Sequence, residues 1–203
     1  SNGTVSADQT ALESGKKVTL TISPETGYEL GTLSVSKTDA QTTTVSVSGT
    51  GTTRTFTMPA YNVTVAASFT KTENQKNIEK AQTLIEGMTN VTVLQTRANT
   101  TSELQNWMAA EINALAEMPI TVSANDITIS NLVPAIAGTV SDVTGTNGSF
   151  KFSVKLQKTG TTTINTTVKD GTITATSYTE PSYTITASTD SHGTISTDVS
   201  SSK

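Results

Sequence analysis

"VTVAASFTKTENQKNIEKAQTLIEGM", residues 63–88, changes its hydrophobic period part-way, and that change decides how the chain divides. Through Val63, Val65, Ala67 and Phe69, apolar residues hold every second position, the spacing of a strand with one buried face. From Ile78 through Ala81, Leu84, Ile85 and Met88 they fall three and four apart, the spacing of a helical stripe. Between the two patterns Thr72 precedes Gln75 by three positions, the signature of a capping box, and Gly87 suits the far end of the helix. A segment built from strands therefore gives way here to one that contains helices.

Toward the N-terminus the two-residue period recurs. It runs through Val18, Leu20 and Ile22 in "KVTLTIS", Leu33 and Val35 in "LGTLSVS", Val45 and Val47 in "TTVSVSG", and Phe56 and Met58 in "RTFTM". Pro24 and Gly27 mark a turn before Tyr28, and Pro59 ends a strand because it lacks an N–H. With "NVTVAASF" these make five short strands, which predict an all-β module over residues 1–71.

Beyond the first helix a short strand, "VTVLQ", is followed by a second capping box at Thr100 and Glu103. That helix aligns Leu104, Trp107, Met108, Ile112 and Leu115 and is expected to run to Pro119. Strands are expected again in "ITVSANDITIS", "GSFKFSVKLQK" and "TTTINTTVKDGTITATSY", with tight turns at Asn147-Gly148 and Asp170-Gly171. Residues 72–180 thus predict an α+β domain, two helices packed on an antiparallel sheet. Pro181 and Ser182 then form a joint to residues 181–203, a piece too short to fold alone. The fold class expected is mainly β with an α+β middle domain.

Composition fits thin sheets. Hydrophobic residues make up 33% of the 203, while Thr and Ser, 44 and 23 in number, make up a third. Thr is β-branched and favours strands, and a formal charge of only −4 argues against a charge-driven disordered chain. Without cysteine there is neither a disulfide framework nor a thiolate metal site. Two Arg and eleven Lys, none clustered, argue against nucleic acid as a partner. No apolar run approaches the length of a membrane-spanning helix.

The chain also restates itself. Residues 1–8, "SNGTVSAD", return as "SHGTISTD" at residues 191–198, with five of eight positions identical. The first segment resembles the bacterial repeat domain called the divergent internalin B-repeat, through "GTVS", "GKKVTLTISPETGYEL" and "FTMPAYNVTVAASF". Members of that family begin one strand earlier, with a "YTIT"-like stretch. Here that stretch is missing from the first module and stands instead at residues 183–187, where Tyr183, Ile185 and Ala187 alternate with threonines. Residues 181–203 are therefore expected to be the first strand and turn of a following repeat. Residues 72–180 are similar to α+β spacer domains found between such repeats in large secreted proteins of Gram-positive bacteria. The likeness is carried by "ANTTSELQNWMAAEINAL" and "GTNGSFKFSVKL".

Catalytic, cofactor and metal residues are expected to be none. His192 is the sole histidine, and it stands before Gly193 where the first copy has Asn2, a turn position. Glu73, Glu79, Glu86, Glu103, Glu111 and Glu117 read as solvated helix positions. Asp126, Asp142, Asp170 and Asp190 lie beside turn-forming residues, and no calcium-loop pattern occurs. Trp107 belongs to the apolar stripe of its helix. Tyr28 and Tyr61 flank turns and are the best candidates for ligand contact. The resemblance implies an extracellular, cell-surface or cell-wall setting and a structural or adhesive role without enzymatic activity. Neighbouring repeats of the same protein are the expected partners, and a glycan- or host-protein-binding module is the competing reading. A sheet edge left by the missing strand is expected to pair with residues 183–187, in the same chain or by strand exchange.

Overall fold

A computed structural model of the chain describes residues 2–183. Apart from Tyr183, the strand expected over residues 183–187, the turns at Asp190 and His192 and the rest of the third segment lie outside the described residues.

Six strands build the N-terminal part: β1 (Gly3–Ala7), β2 (Lys17–Pro24), β3 (Tyr28–Lys37), β4 (Ala40–Thr44), β5 (Thr53–Thr57) and β6 (Val63–Lys71). They form two antiparallel sheets, in the orders β1-β2-β5 and β4-β3-β6. The alternation in β2 sends Val18, Leu20 and Ile22 inward, where all three are buried with Val35 and Phe56. Each such side chain contributes about 1.5–3 kcal/mol of burial, so the threonines between them can face water without loss. The strand expected through Val45 and Val47 is shorter than its pattern suggests. β4 ends at Thr44, and Val45 then donates its N–H to the Val35 carbonyl. By Ser48 the chain has crossed to bridge Thr55 of the other sheet. The two valines pack on the core from this crossing segment and not from a ladder.

The second part contains α1 (Glu73–Glu86), β7 (Val91–Leu94), α2 (Thr101–Asn113), β8 (Ile127–Val133), β9 (Gly148–Leu156), β10 (Ile164–Asn165) and β11 (Lys169–Thr174). β9 is the centre of its sheet, with β8 on one side and β10 followed by β11 on the other. β7 joins β11 in parallel, so the sheet is antiparallel except for this one pair. Phe150, Phe152, Val154 and Leu156 face one way from β9 and are buried in a core shared with Ile78 and Ile85 of α1 and Leu104, Met108 and Ile112 of α2. Trp107 packs against the same core, as its place on the helical stripe implied.

Local details depart from expectation at four places. Thr72 caps α1 through Gln75 N–H, 3.2 Å, but the Gln75 side chain does not return to the Thr72 N–H, which binds the Gly27 carbonyl instead. α2 stops at Asn113, short of Pro119, because the Asn113 side chain clamps both backbone groups of Val122 at 2.8 Å and turns the chain back. Most of "ITVSAND" is irregular, and the strand begins only at Ile127. The two expected tight turns are not turns either. Gly148 opens β9, and Gly171 lies inside β11, where a Cβ would fall 2.2 Å from the Phe150 ring.

Candidate functional site

Five of the six glutamates named above, all but Glu111, have structural partners. Lys71 bonds to Glu79 at 2.7 Å and holds its carboxyl below the ordinary range, helped by the Gln75 amide; the same contact raises Lys71. The Thr167 backbone N–H lowers Glu86, with the Gln82 amide next, and the Asn99 backbone N–H lowers Glu103, which closes a full capping box with Thr100. Lys80 lowers Glu117, and Lys76 reaches Glu73 at 3.4 Å. A general acid at a sugar-cleaving site needs a carboxyl raised toward neutrality and opposed to a second one. These four carboxyls are lowered, and their partners are cations, side-chain amides and backbone N–H groups. Asp126 accepts from the Ser123 backbone and hydroxyl, Asp142 accepts from the Gly145 N–H, and Asp170 pairs with Lys151. Among the described residues no group of three or more metal-ligating side chains converges.

Tyr28 and Tyr61 do not share a surface. Tyr28 opens β3 opposite Lys71, whereas Tyr61 precedes Val63, which pairs with Lys37 at the other end of the same strand. The ten residues of β3 put about 30 Å between those ends. Tyr61 lies under the Lys37 ammonium, 5.7 Å from the ring centroid, and Tyr28 is half-buried.

Two features are built more elaborately. The first is the joint between the two parts. Gln75, only 5% exposed, accepts the Thr162 N–H at 3.0 Å and donates to Glu79 at 3.1 Å. Gly27 donates its N–H to the Gly160 carbonyl at 3.0 Å, and its own carbonyl accepts from Thr72 N–H. Gly27 has φ of 87°, and a Cβ there would meet Gln75 Oε1 at 2.5 Å, so this position requires glycine twice over. Sequence reading assigned Gln75 to helix capping and missed the joint, because the partners Gly27, Gly160 and Thr162 are remote and carry no local signal.

The second is a cleft of about 340 Å³ where the two sheets of the N-terminal part gape, lined by Leu12, Val18, Phe56, Met58, Val63 and Val65. It opens beside β6, which among the described residues pairs with β3 alone.

The two three-stranded sheets thus close through a Phe-Thr-Met-Pro turn and an alternating last strand. Residues 1–73 match the divergent InlB B-repeat domain. The match ends at Glu73, the first residue of α1, so it takes in all six strands of the N-terminal part and none of the second part's sheet. Comparisons of the whole chain with curated proteins and with solved structures found no match.

Proposed function

We propose that the chain is a non-enzymatic spacer of a modular bacterial cell-surface protein, in which the B-repeat and the α+β domain act as consecutive, orientationally fixed links. The match of residues 1–73 indicates a bacterial surface-protein repeat module. The observation that carries the finer reading is the joint. Gly27 bonds across the joint to the Gly160 carbonyl and the Thr72 N–H, and buried Gln75 pins the Thr162 segment beside it, which together hold one unit at a set angle to the next. A flexible tether would have no use for such a contact. The division into residues 1–71, 72–180 and 181–203 belongs to this proposal, as does the extracellular setting.

The test is orientation together with ligand screening. Spin labels placed on exposed positions of β2 and α2 should give one narrow distance distribution, and a glycan array should give no hits. A broad distribution would remove the spacer reading, and reproducible glycan capture would favour the binding-module alternative.

A further inference from the structure

Two of the contacts that organise the joint end on one side chain. The Glu79 carboxylate, on α1, uses both of its oxygens. Oε2 accepts from the Lys71 ammonium at 2.7 Å, and Lys71 is the last residue of β6, so this ion pair crosses from one part of the chain to the other. Oε1 accepts from the Gln75 amide at 3.1 Å, one helical turn back. We propose that Glu79 is the latch of the joint: ionised, it fastens the two parts by both routes, and protonated, it releases them. This deepens the spacer reading and rests on it.

The first route is direct, and the second passes through three segments. An ionised carboxylate only accepts hydrogen bonds, so the Gln75 amide must turn its NH2 group toward Glu79. Its carbonyl oxygen is thereby aimed the other way, at the Thr162 N–H, 3.0 Å away. Thr162 follows directly on the turn in which Thr161 N–H binds the Lys158 carbonyl, and that turn carries Gly160. The Gly160 carbonyl accepts the Gly27 N–H at 3.0 Å, and Gly27 lies between β2 and β3 of the other part, with no side chain to wedge the amide away. The order of donors and acceptors therefore runs one way, from the Thr162 N–H through Gln75 to Glu79, and closes on Lys71. A protonated carboxyl becomes a donor at one oxygen and has no charge to offer Lys71. The Gln75 amide is then free to turn over, and its NH2 group cannot accept the Thr162 N–H.

The surroundings leave this carboxylate to those two partners. On α1 itself, Lys76 reaches Glu73 and Lys80 reaches Glu117. From β3, Tyr28 stands opposite Lys71. From the facing turn, Lys158 forms no ion pair among the described residues. Lys71 first, and then the Gln75 amide, hold the Glu79 carboxyl below its ordinary range. The fastening is therefore complete at neutral pH and is lost as pH falls through that lowered value. The Lys71 and Glu79 side chains are 42% and 35% exposed, so a proton reaches the pair without either core opening.

Amide hydrogen exchange at the Gly27 and Thr162 N–H groups tests this in the full chain, read beside spin-label distances between β2 and α2. Glu79→Gln keeps the size and helix propensity of the side chain and abolishes its charge. At neutral pH it should speed exchange at both amides by about three- to tenfold, while the β9 amides keep their protection and Trp107 its fluorescence. That excess over the unaltered protein should disappear in acid, below the ordinary carboxylate value of about 4.3, where Glu79 itself becomes protonated. Glu103→Gln removes another lowered carboxyl, one whose partners are Asn99 and Thr100, and should leave both amides slow. Unchanged exchange at either amide in Glu79→Gln, or an excess that persists in acid, would overturn the latch and leave the spacer reading standing. A broad distance distribution in the unaltered protein would overturn both.

Discussion

At the scale of single residues, Gln75 and Gly171 show how much can rest on one side chain, or on its absence. Replacing Gln75 by Ala leaves the Thr162 N–H and the Glu79 carboxylate each short of a partner in a part-buried site. A typical hydrogen bond contributes about 0.5–1.5 kcal/mol net, so urea denaturation of Gln75→Ala should show a loss of that order. Gly171→Ala forces a methyl group into the space of the Phe150 ring, and overpacking of this kind costs about 1–3 kcal/mol. The thermal midpoint of Gly171→Ala should fall, while Gly160→Ala, with open space around its Cβ, should leave the core packing alone and act only through its positive φ. Asp170-Gly171 reads as a turn because Asp-Gly is the usual dipeptide of tight hairpins. Nothing within a few residues announces that this glycine instead makes room for a ring on the neighbouring strand.

At the scale of elements, what was legible depended on whether one buried face set the pattern. β2, β6 and β9 all carry a regular apolar face, and all appear where their spacing places them, as does the start of α2. The crossing through Val45 and Val47 and the irregular run before Ile127 carry the same alternation without a ladder. Alternation reports which side chains are buried, and hydrogen bonds to a neighbouring strand need a partner that only the tertiary fold supplies. The helix ends follow the same division, since the capping box at Thr100 is local, whereas the stop at Asn113 depends on Val122. The lowered carboxyls also cluster by element, with Glu79 and Glu86 on α1, Glu103 on α2 and Glu117 just beyond it. A carboxyl lowered in the folded state adds stability above its unfolded value, and that stability is lost as pH falls through its folded value. Acid should therefore weaken the α+β domain as pH drops below about 4.3. Trp107, the chain's one tryptophan, packs on that domain's core, so its fluorescence should report the change.

At the scale of the whole molecule, the described residues form two separate cores that meet at a polar joint where Gly27 bonds to Gly160 and Thr72. By freeing the Thr162 segment that carries the Gly160 carbonyl to Gly27, Gln75→Ala should broaden the distance distribution between β2 and α2 even where both cores stay folded. Spin-label measurements on the variant would show this, and an unchanged width would mean that the chain path alone sets the angle. Reading along the chain revealed the two cores, because each has its own period, but the joint is assembled from three segments and was invisible to it. The place where β1 begins has a further, mechanical consequence. Gly3 lies against Phe69, so the chain enters the N-terminal module at the same end from which it leaves through Lys71. A pull between those two points peels β1 from β2 one hydrogen bond at a time, and the module hangs beside the line of tension.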